Sequence, residues 1–387
     1  MNSKVSMNQQ SRIKLDSITL HGFKSINSDG QTIYFGDITV LLGANGAGKS
    51  NLVSFFSMLN YMMTGSLQTY IGESGFAEAL LYYGAKVTNR IESTIRFSNN
   101  QEMDKYHFNL SHAVGDTLIF TNEALSYWKK GKEKPLEYSL SPGSKESGLL
   151  AEIKQKDNKS KTSRIIYRLL RNCQVFQFHD TSKTSKIRSK GYINDNRFLR
   201  SDGGNLAAFL YAMKNKEGGE RYYRRIIRHI QQIMPQFQDF ELEPSLLNKD
   251  YVMLNWYETG ADYLFGPHQL SDGSLRFMAL ATLLLQPPEA LPSVIILDEP
   301  ELGLHPSAIS ILAGMVKQAS RKCQVVMATQ SQRLVDEFEA GNIVVAERNE
   351  AGNYSEFKQL KEEKLIEWLE RYSLSELWEK NVLGGQP

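Results

Sequence analysis

Residues 38–50, ITVLLGANGAGKS, carry a short apolar run into Gly43, leave four positions free and close on Gly48, Lys49 and Ser50. Few patterns of this length restrict a fold so tightly. The glycines let the backbone turn its N–H groups inward around an anion, a lysine at this place reaches terminal phosphates, and the adjacent hydroxyl is placed for Mg²⁺. From Asn51 onward Leu52, Phe55, Phe56, Leu59 and Met62 recur at helical spacing as far as Gly65, so the loop opens a helix whose positive end faces the anion. The pattern predicts strand, loop and helix in that order. It also predicts a nucleoside triphosphate on Gly43, Ala44, Asn45, Gly46, Ala47, Gly48, Lys49, Ser50 and Asn51, with Ser50 on the metal.

Residues 293–297, SVIIL, predict a second buried strand that ends in Asp298, Glu299 and Pro300. Consecutive apolar residues suit a strand covered on both faces, and parallel sheets place ligands at the carboxyl ends of such strands. Asp298 is expected to hold Mg²⁺, directly or through water. Glu299 is expected to orient and deprotonate the attacking water, the role phosphoryl transfer needs beside a metal and a phosphate cradle.

Between these motifs, residues 270–285 (LSDGSLRFMALATLLL) read as a polar turn and an apolar helix that stops before Pro287 and Pro288. Alone, Ser271, Asp272, Gly273 and Ser274 make an ordinary N-cap. Ahead of an acidic strand end, they resemble the signature motif of ABC-type ATPases. That resemblance implies that these four residues clasp the γ-phosphate of ATP bound to the P-loop of a second subunit, a task suited to the positive end of a helix.

The resemblance extends along the chain. The opening IKLDSITLHGFKSI, with Phe23, Lys24 and Ser25, is similar to the first strand and turn of the SMC, RecF and OLD group. DEPELGLHP (residues 298–306) resembles the Walker B and D-loop of small RecF-like bacterial ATPases, and LSDGSLR differs from the LSGGQ of transporters. SLSELWEKNVLGG (residues 373–385) resembles the tail of that AAA-family group. The chain is thereby identified as a RecF/OLD-like ABC ATPase. The implied fold is α/β: an ABC-type P-loop NTPase head with a mostly parallel sheet, an antiparallel β-rich lobe and a helical lobe. The implied activity is Mg²⁺-dependent ATP hydrolysis in a homodimer or higher homo-oligomer.

The chain departs from the group twice. Gln330 stands between Thr329 and Ser331 where most relatives place a histidine as γ-phosphate switch. A glutamine hydrogen-bonds phosphate or water without a titratable proton, so switching is expected to depend little on pH between about 5 and 8. SMC proteins carry an arginine after the P-loop helix, yet residues 51–89 contain none. Lys24 and Arg276 are the substitutes to weigh, each equally readable as a solvated surface residue. Gln68, in the polar stretch GSLQTYIGESG, is the candidate Q-loop ligand for Mg²⁺ or water.

The expected organisation is an ATPase core over residues 13–97, a β-rich insertion over 98–200 with exposed loops such as the Lys- and Ser-rich run 154–163, and a helical lobe over 201–238. The core resumes over 239–347 and a helical tail covers 348–387. No heptad repeat is sustained, which excludes the SMC coiled coil. About forty residues come after the last core strand, too few for the TOPRIM nuclease of OLD proteins. Any effector is therefore expected on a separate chain, and anti-phage defence is the role the resemblance suggests.

With 45 Lys and Arg against 43 Asp and Glu, the net charge of +2 neither demands nor excludes nucleic acid. DNA contact stays open through two basic stretches, residues 221–228 (RYYRRIIR) and 183–200. Cys173 and Cys323 lack metal spacing and suit a reducing compartment. The polar start and the absence of a long apolar run predict a cytoplasmic protein without a membrane partner. Three rivals remain: a RecF-type DNA repair ATPase, an ABC transporter subunit, and a binding module that keeps ATP as a structural ligand.

Overall fold

The computed structural model describes residues 12–155, 158–244, 247–349, 351 and 353–385. Its elements begin β1 (Lys14–His21), β2 (Gln31–Tyr34), β3 (Ile38–Leu42), α1 (Lys49–Met62), α2 (Leu67–Glu73), α3 (Phe76–Leu80), β4 (Arg90–Ser98), β5 (Glu102–Ala113), β6 (Thr117–Lys129), β7 (Leu136–Ser139), α4 (Leu149–Glu152) and α5 (Asn158–Arg171). They continue with β8 (Cys173–Phe176), β9 (Gly191–Tyr192), α6 (Leu206–Asn215), α7 (Glu220–Ile233), β10 (Phe237–Glu241), β11 (Tyr251–Val252), β12 (Asn255–Glu258), β13 (Leu264–Phe265) and α8 (Asp272–Leu285). The last are β14 (Val294–Asp298), α9 (Pro306–Ser320), β15 (Gln324–Thr329), α10 (Gln332–Val335), β16 (Ile343–Asn349), β17 (Tyr354–Gln359), α11 (Ile366–Leu369) and α12 (Leu374–Glu379). Two compact units result: one comprises the chain up to Phe35 with Met58–Arg171, the other Gly36–Ser57 with the chain from Asn172.

The first unit is built on an antiparallel sheet in the order β2-β1-β4-β5-β6-β7. Its strands obey the two-residue period: in β5, Asp104, Tyr106, Phe108 and Leu110 are buried while Lys105, His107 and Asn109 are only partly so. Glu123 of β6 is buried with its partners in place, accepting from the Tyr106 hydroxyl (2.6 Å), the Ser147 hydroxyl and the Gly148 N–H (2.8 Å).

The second unit holds a sheet in the order β17-β16-β3-β15-β14-β8, parallel throughout except for the β16–β17 pair. β3 lies between β15 and β16, and its four apolar residues Val40, Leu41, Leu42 and, partly, Ile38 are covered as the continuous apolar run predicts. α8 is apolar on all sides and buried from Leu275 to Leu285 apart from Arg276, which fits a helix packed within the core. Its neighbours in that core include Tyr223, Ile226 and Ile230 of α7 and Leu312 and Val316 of α9.

The helical lobe expected over 201–238 holds α6 and α7. The expected domain limits need correction. β1, β2 and β4 hydrogen-bond with β5 and β6 in one sheet, so position 97/98 is no boundary. Nor is residues 98–200 one β-rich insertion: α5 is a helix, in which Thr162, Ser163, Ile166, Leu169 and Leu170 are buried at helical spacing. The exposed loop expected at 154–163 therefore gives way to α5 from Asn158, and residues 156 and 157 lie outside the described residues. β8 then crosses to the second unit and pairs with β14. In the tail, residues 354–359 form a strand in place of the expected helix, because Ser355 and Phe357 alternate inward against β16. Among the described residues no helix is long and apolar enough to cross a membrane.

Candidate nucleotide site

Register brings the motifs to one edge of the parallel sheet. Leu42, the last residue of β3, pairs with Thr329 at the end of β15, and Asp298, the last residue of β14, pairs with Ala328. The loop 43–48, residues 298–301 and residues 329–331 thus leave the sheet together, at the carboxyl ends where open α/β sheets hold ligands.

Residues 43–48 join β3 to α1, and Asn51 lies in the first turn of the helix. The first N–H groups of α1 have no carbonyl within the helix to bond, which together with the dipole favours an anion in front of them. Gly43 cannot carry a side chain, since a Cβ there lies 2.2 Å from the Ala346 carbonyl oxygen. Lys49 is buried and folds back: its Nζ donates to the carbonyls of Gly43 (2.6 Å) and Ala44 (2.9 Å). Burial draws its pKa down, against the opposing pull of Glu299, Asp298 and Glu301.

Three carboxyl groups stand at the β14 end. Burial raises the Asp298 pKa, opposed by His179, Lys49 and a hydrogen bond from Ser50, and one of its oxygens is buried without a partner. Glu299 has a left-handed backbone, φ +42°, a conformation costly for a residue with a long side chain. Its N–H donates to Ala328 (2.8 Å) and its Oε1 accepts from Gln330 Nε2 at 2.9 Å. Glu301 accepts from the Thr329 hydroxyl through one oxygen, while the other is buried and unpartnered; burial raises its pKa. Thr329 Oγ1 also accepts from the Ser331 N–H at 2.9 Å. An orphaned buried carboxylate oxygen beside a serine hydroxyl offers two oxygen donors of the kind a hard divalent cation takes alongside water and phosphate, so Asp298 and Ser50 fit Mg²⁺.

The turn before α8 is built as the sequence predicts. Ser271 is the N-cap, its Oγ accepting from the Ser274 N–H (3.1 Å) and donating to Ser274 Oγ (2.8 Å). Gly273 lies against the D-loop: a Cβ there meets the Gly303 carbonyl oxygen at 2.3 Å. Asp272 pairs with Arg188. Arg276 donates to the carbonyls of Phe178 (3.2 Å), His179 (2.9 Å) and Leu302 (2.8 Å), so its guanidinium fastens α8 to the D-loop and the chain after β8 and is not a free finger.

Two expected site residues belong to the first unit. Gln68 sits in α2, where its carboxamide donates to the carbonyls of Leu118 (3.2 Å) and Lys145 (2.7 Å) and accepts from Thr117, so it is engaged within that unit. Lys24 has φ +49° and lies 5.7 Å from the Phe23 ring centroid, with burial lowering its pKa. The sequence reading missed Glu301, His179 and Arg188. Glu301 is the third acid of DEPE, and its signal was present; His179 comes after β8 and lines a small pocket with Asp298, Glu299 and Arg276. Its signal was the short apolar run CQVF, a candidate neighbour for β14. In the first unit the ligand atoms of His112, Glu78 and Asp116 lie within 4.8 Å of one another. Both carboxylates there already accept backbone N–H groups, from Ala85 and Glu78.

A family model described as "AAA domain, putative AbiEii toxin, Type IV TA system" matches residues 38–336. Among solved structures, an Smc head bound to the C-winged helix domain of ScpA shares 16% identity with a TM-score of 0.59, covering 92% of this chain and 99% of that one. An Smc head with an extended coiled coil, bound to the C-terminal domain of ScpA from Pyrococcus furiosus, shares 16% identity with a TM-score of 0.55, over 93% and 99%. At this identity the likeness is one of fold. No curated protein matches the chain.

Proposed function

Because the chain belongs to the AAA-domain family whose model it matches, with the fold of an SMC-head, ABC-type P-loop ATPase, we propose that it hydrolyses ATP as a nucleotide-gated homodimer controlling a separately encoded effector. The observation that carries the reading is the Gln330–Glu299 hydrogen bond, which ties the acid at the β14 end to the strand end beside it. The residues at 329–331 would thereby report on the state of the site to the base.

In this reading the loop 43–51 binds the triphosphate of one subunit, and Lys49 leaves the Gly43 and Ala44 carbonyls to meet it. Ser50 and Asp298 would hold Mg²⁺, which would supply charge neutralisation to the triphosphate. Glu299 takes a proton from the attacking water, and Gln330 orients that water or a phosphate oxygen. Ser271 to Ser274 of the second subunit closes over the γ-phosphate. A single P-loop and a single signature per chain make two subunits the minimum for a complete site, and ATP shifts the population toward the closed pair. The protein acts in the cytoplasm, and the effector meets it as a protein surface, as the Smc heads do with ScpA.

The test is the solution mass of Glu299→Gln with and without Mg-ATP, alongside wild-type hydrolysis. Assembly driven by ATP in the variant, with hydrolysis lost, supports the switch. Hydrolysis by Glu299→Gln at the wild-type rate overturns the assignment of the base. One observation favours a second, RecF-like reading: α7 leaves Arg221, Arg224 and Arg228 exposed along one face. Under it, duplex DNA accelerates hydrolysis and binding weakens steeply with salt.

A further inference from the structure

Asp272, the first residue of α8, sits where the reading above brings in a γ-phosphate from another subunit. A carboxylate at a helix start competes with any incoming anion for the same N–H groups and repels it as well. ABC-type closure over ATP is hard to reconcile with a free charge at this place. The structure shows how the charge is handled. Asp272 Oδ1 accepts from Arg188 Nη2 at 2.8 Å, and the carboxyl also takes a hydrogen bond from the Thr181 side chain. The Arg188 side chain is 5% exposed against 66% for Asp272, so the pair has one foot in the core and one in solvent.

Arg188 does more than pair. Its Nε donates to Thr181 O (2.8 Å), and its Nη1 to Leu270 O (3.1 Å) and to Pro267 O. The guanidinium therefore uses its planar fork to bind the two carbonyls leading into Ser271 and the carboxylate that comes after it. Thr181, which contributes a carbonyl to Arg188 and a side chain to Asp272, is itself buried. Arg276, the next cation along α8, is committed to three carbonyls elsewhere.

We propose that Arg188 is the positioning residue of the signature turn, and that its pairing with Asp272 neutralises the turn so that a second subunit's γ-phosphate can dock there. The inference rests on the dimeric reading. Arg188 touches no substrate. It acts by holding residues 267–272 in place and by cancelling a charge, and the second role separates it from an ordinary structural arginine.

The experiment measures ATP-induced association, by light scattering over a concentration series, in the Glu299→Gln protein and in the same protein carrying Arg188→Gln, Asp272→Asn or both. Arg188→Gln frees the Asp272 charge and weakens association by about tenfold or more, a step of about 1.4 kcal/mol. Asp272→Asn added to Arg188→Gln recovers most of that loss, because the charge to be cancelled is gone. Asp272→Asn alone tightens association several-fold, since Arg188 then lends an uncompensated positive charge to the docking point. If the double variant is as weak as Arg188→Gln, or if Asp272→Asn alone weakens association, the charge role is overturned. If Arg188→Gln associates like its parent, so is the positioning role. Should Arg188→Gln not fold, Asp272→Asn alone decides the matter by its sign. A parent that stays monomeric with Mg-ATP fails at an earlier step: it overturns the dimeric reading, and this inference with it.

Discussion

Asp104→Asn should stabilise the first unit, and increasingly so as pH rises from 4 to 7. Asp104 occupies a core-facing place in β5, in line with Tyr106, Phe108 and Leu110, and is 1% exposed with one oxygen lacking any partner. Burial, with the Glu102 carboxylate two residues away, pushes its pKa from 3.8 to about 7. Because the folded chain holds this proton more tightly than the unfolded chain, stability is greatest below the unfolded pKa and is lost as pH climbs toward the folded one. About three pKa units at about 1.4 kcal/mol each set an upper bound of about 4 kcal/mol, and local relaxation should leave about 2–4. An asparagine of the same shape cannot ionise, so the gap between variant and wild type opens through this window and levels off above pH 7. Urea unfolding at pH 5, 6, 7 and 8, read by hydrogen exchange of peptides from β5 and β6, tracks the relevant unit. A gap that does not change with pH, or that favours wild type as pH rises, refutes the reasoning. Glu123 is the internal contrast: equally buried, it has three donors.

Lys49→Ala should abolish nucleotide binding, seen as loss of fluorescent ATP analogue binding with the unfolding temperature in the absence of nucleotide largely kept. Thr329→Val removes the hydroxyl bonded to Glu301 and the acceptor of the Ser331 N–H while keeping shape, and should cost about 2–4 kcal/mol in the second unit by denaturant unfolding. Gln330→His should introduce a pH dependence of hydrolysis near the histidine pKa of about 6.5 that wild type lacks, checked by kcat profiles from pH 5 to 8.

The parts legible in the sequence were those carried by short contiguous patterns. Gly43 to Ser50, the β14 strand and the Ser271 cap each specify an element and a place in it within a dozen residues. The illegible parts depended on pairings between distant residues. Nothing local in β1 or β4 says that they join β5, and nothing in CQVF says that it will lie beside Val294. Gln68 was drawn into the metal set by its distance after the P-loop helix, a criterion blind to the Leu118 and Lys145 carbonyls that use its amide. Arg188 is one basic residue among several in a polar stretch. Its role exists only once residues 181, 267, 270 and 272 surround it. The strand at 354–359 was missed because two inward residues make too short an alternation to outweigh the helical pattern of the residues beyond it.

The place of β3 between β15 and β16 bears on how the chain comes to be folded at all. Both of its partners are separated from it by more than half the chain, and parallel pairings of such span are slow to form because loop closure precedes any gain from contact. The antiparallel sheet of the first unit consists mainly of neighbouring hairpins, which close early. During synthesis β3 therefore waits with two open edges and apolar faces while the sheet encoded around it is already complete. The nucleotide loop would be among the last features to acquire its shape, and the interval before β15 and β16 emerge is when this chain is most exposed to aggregation.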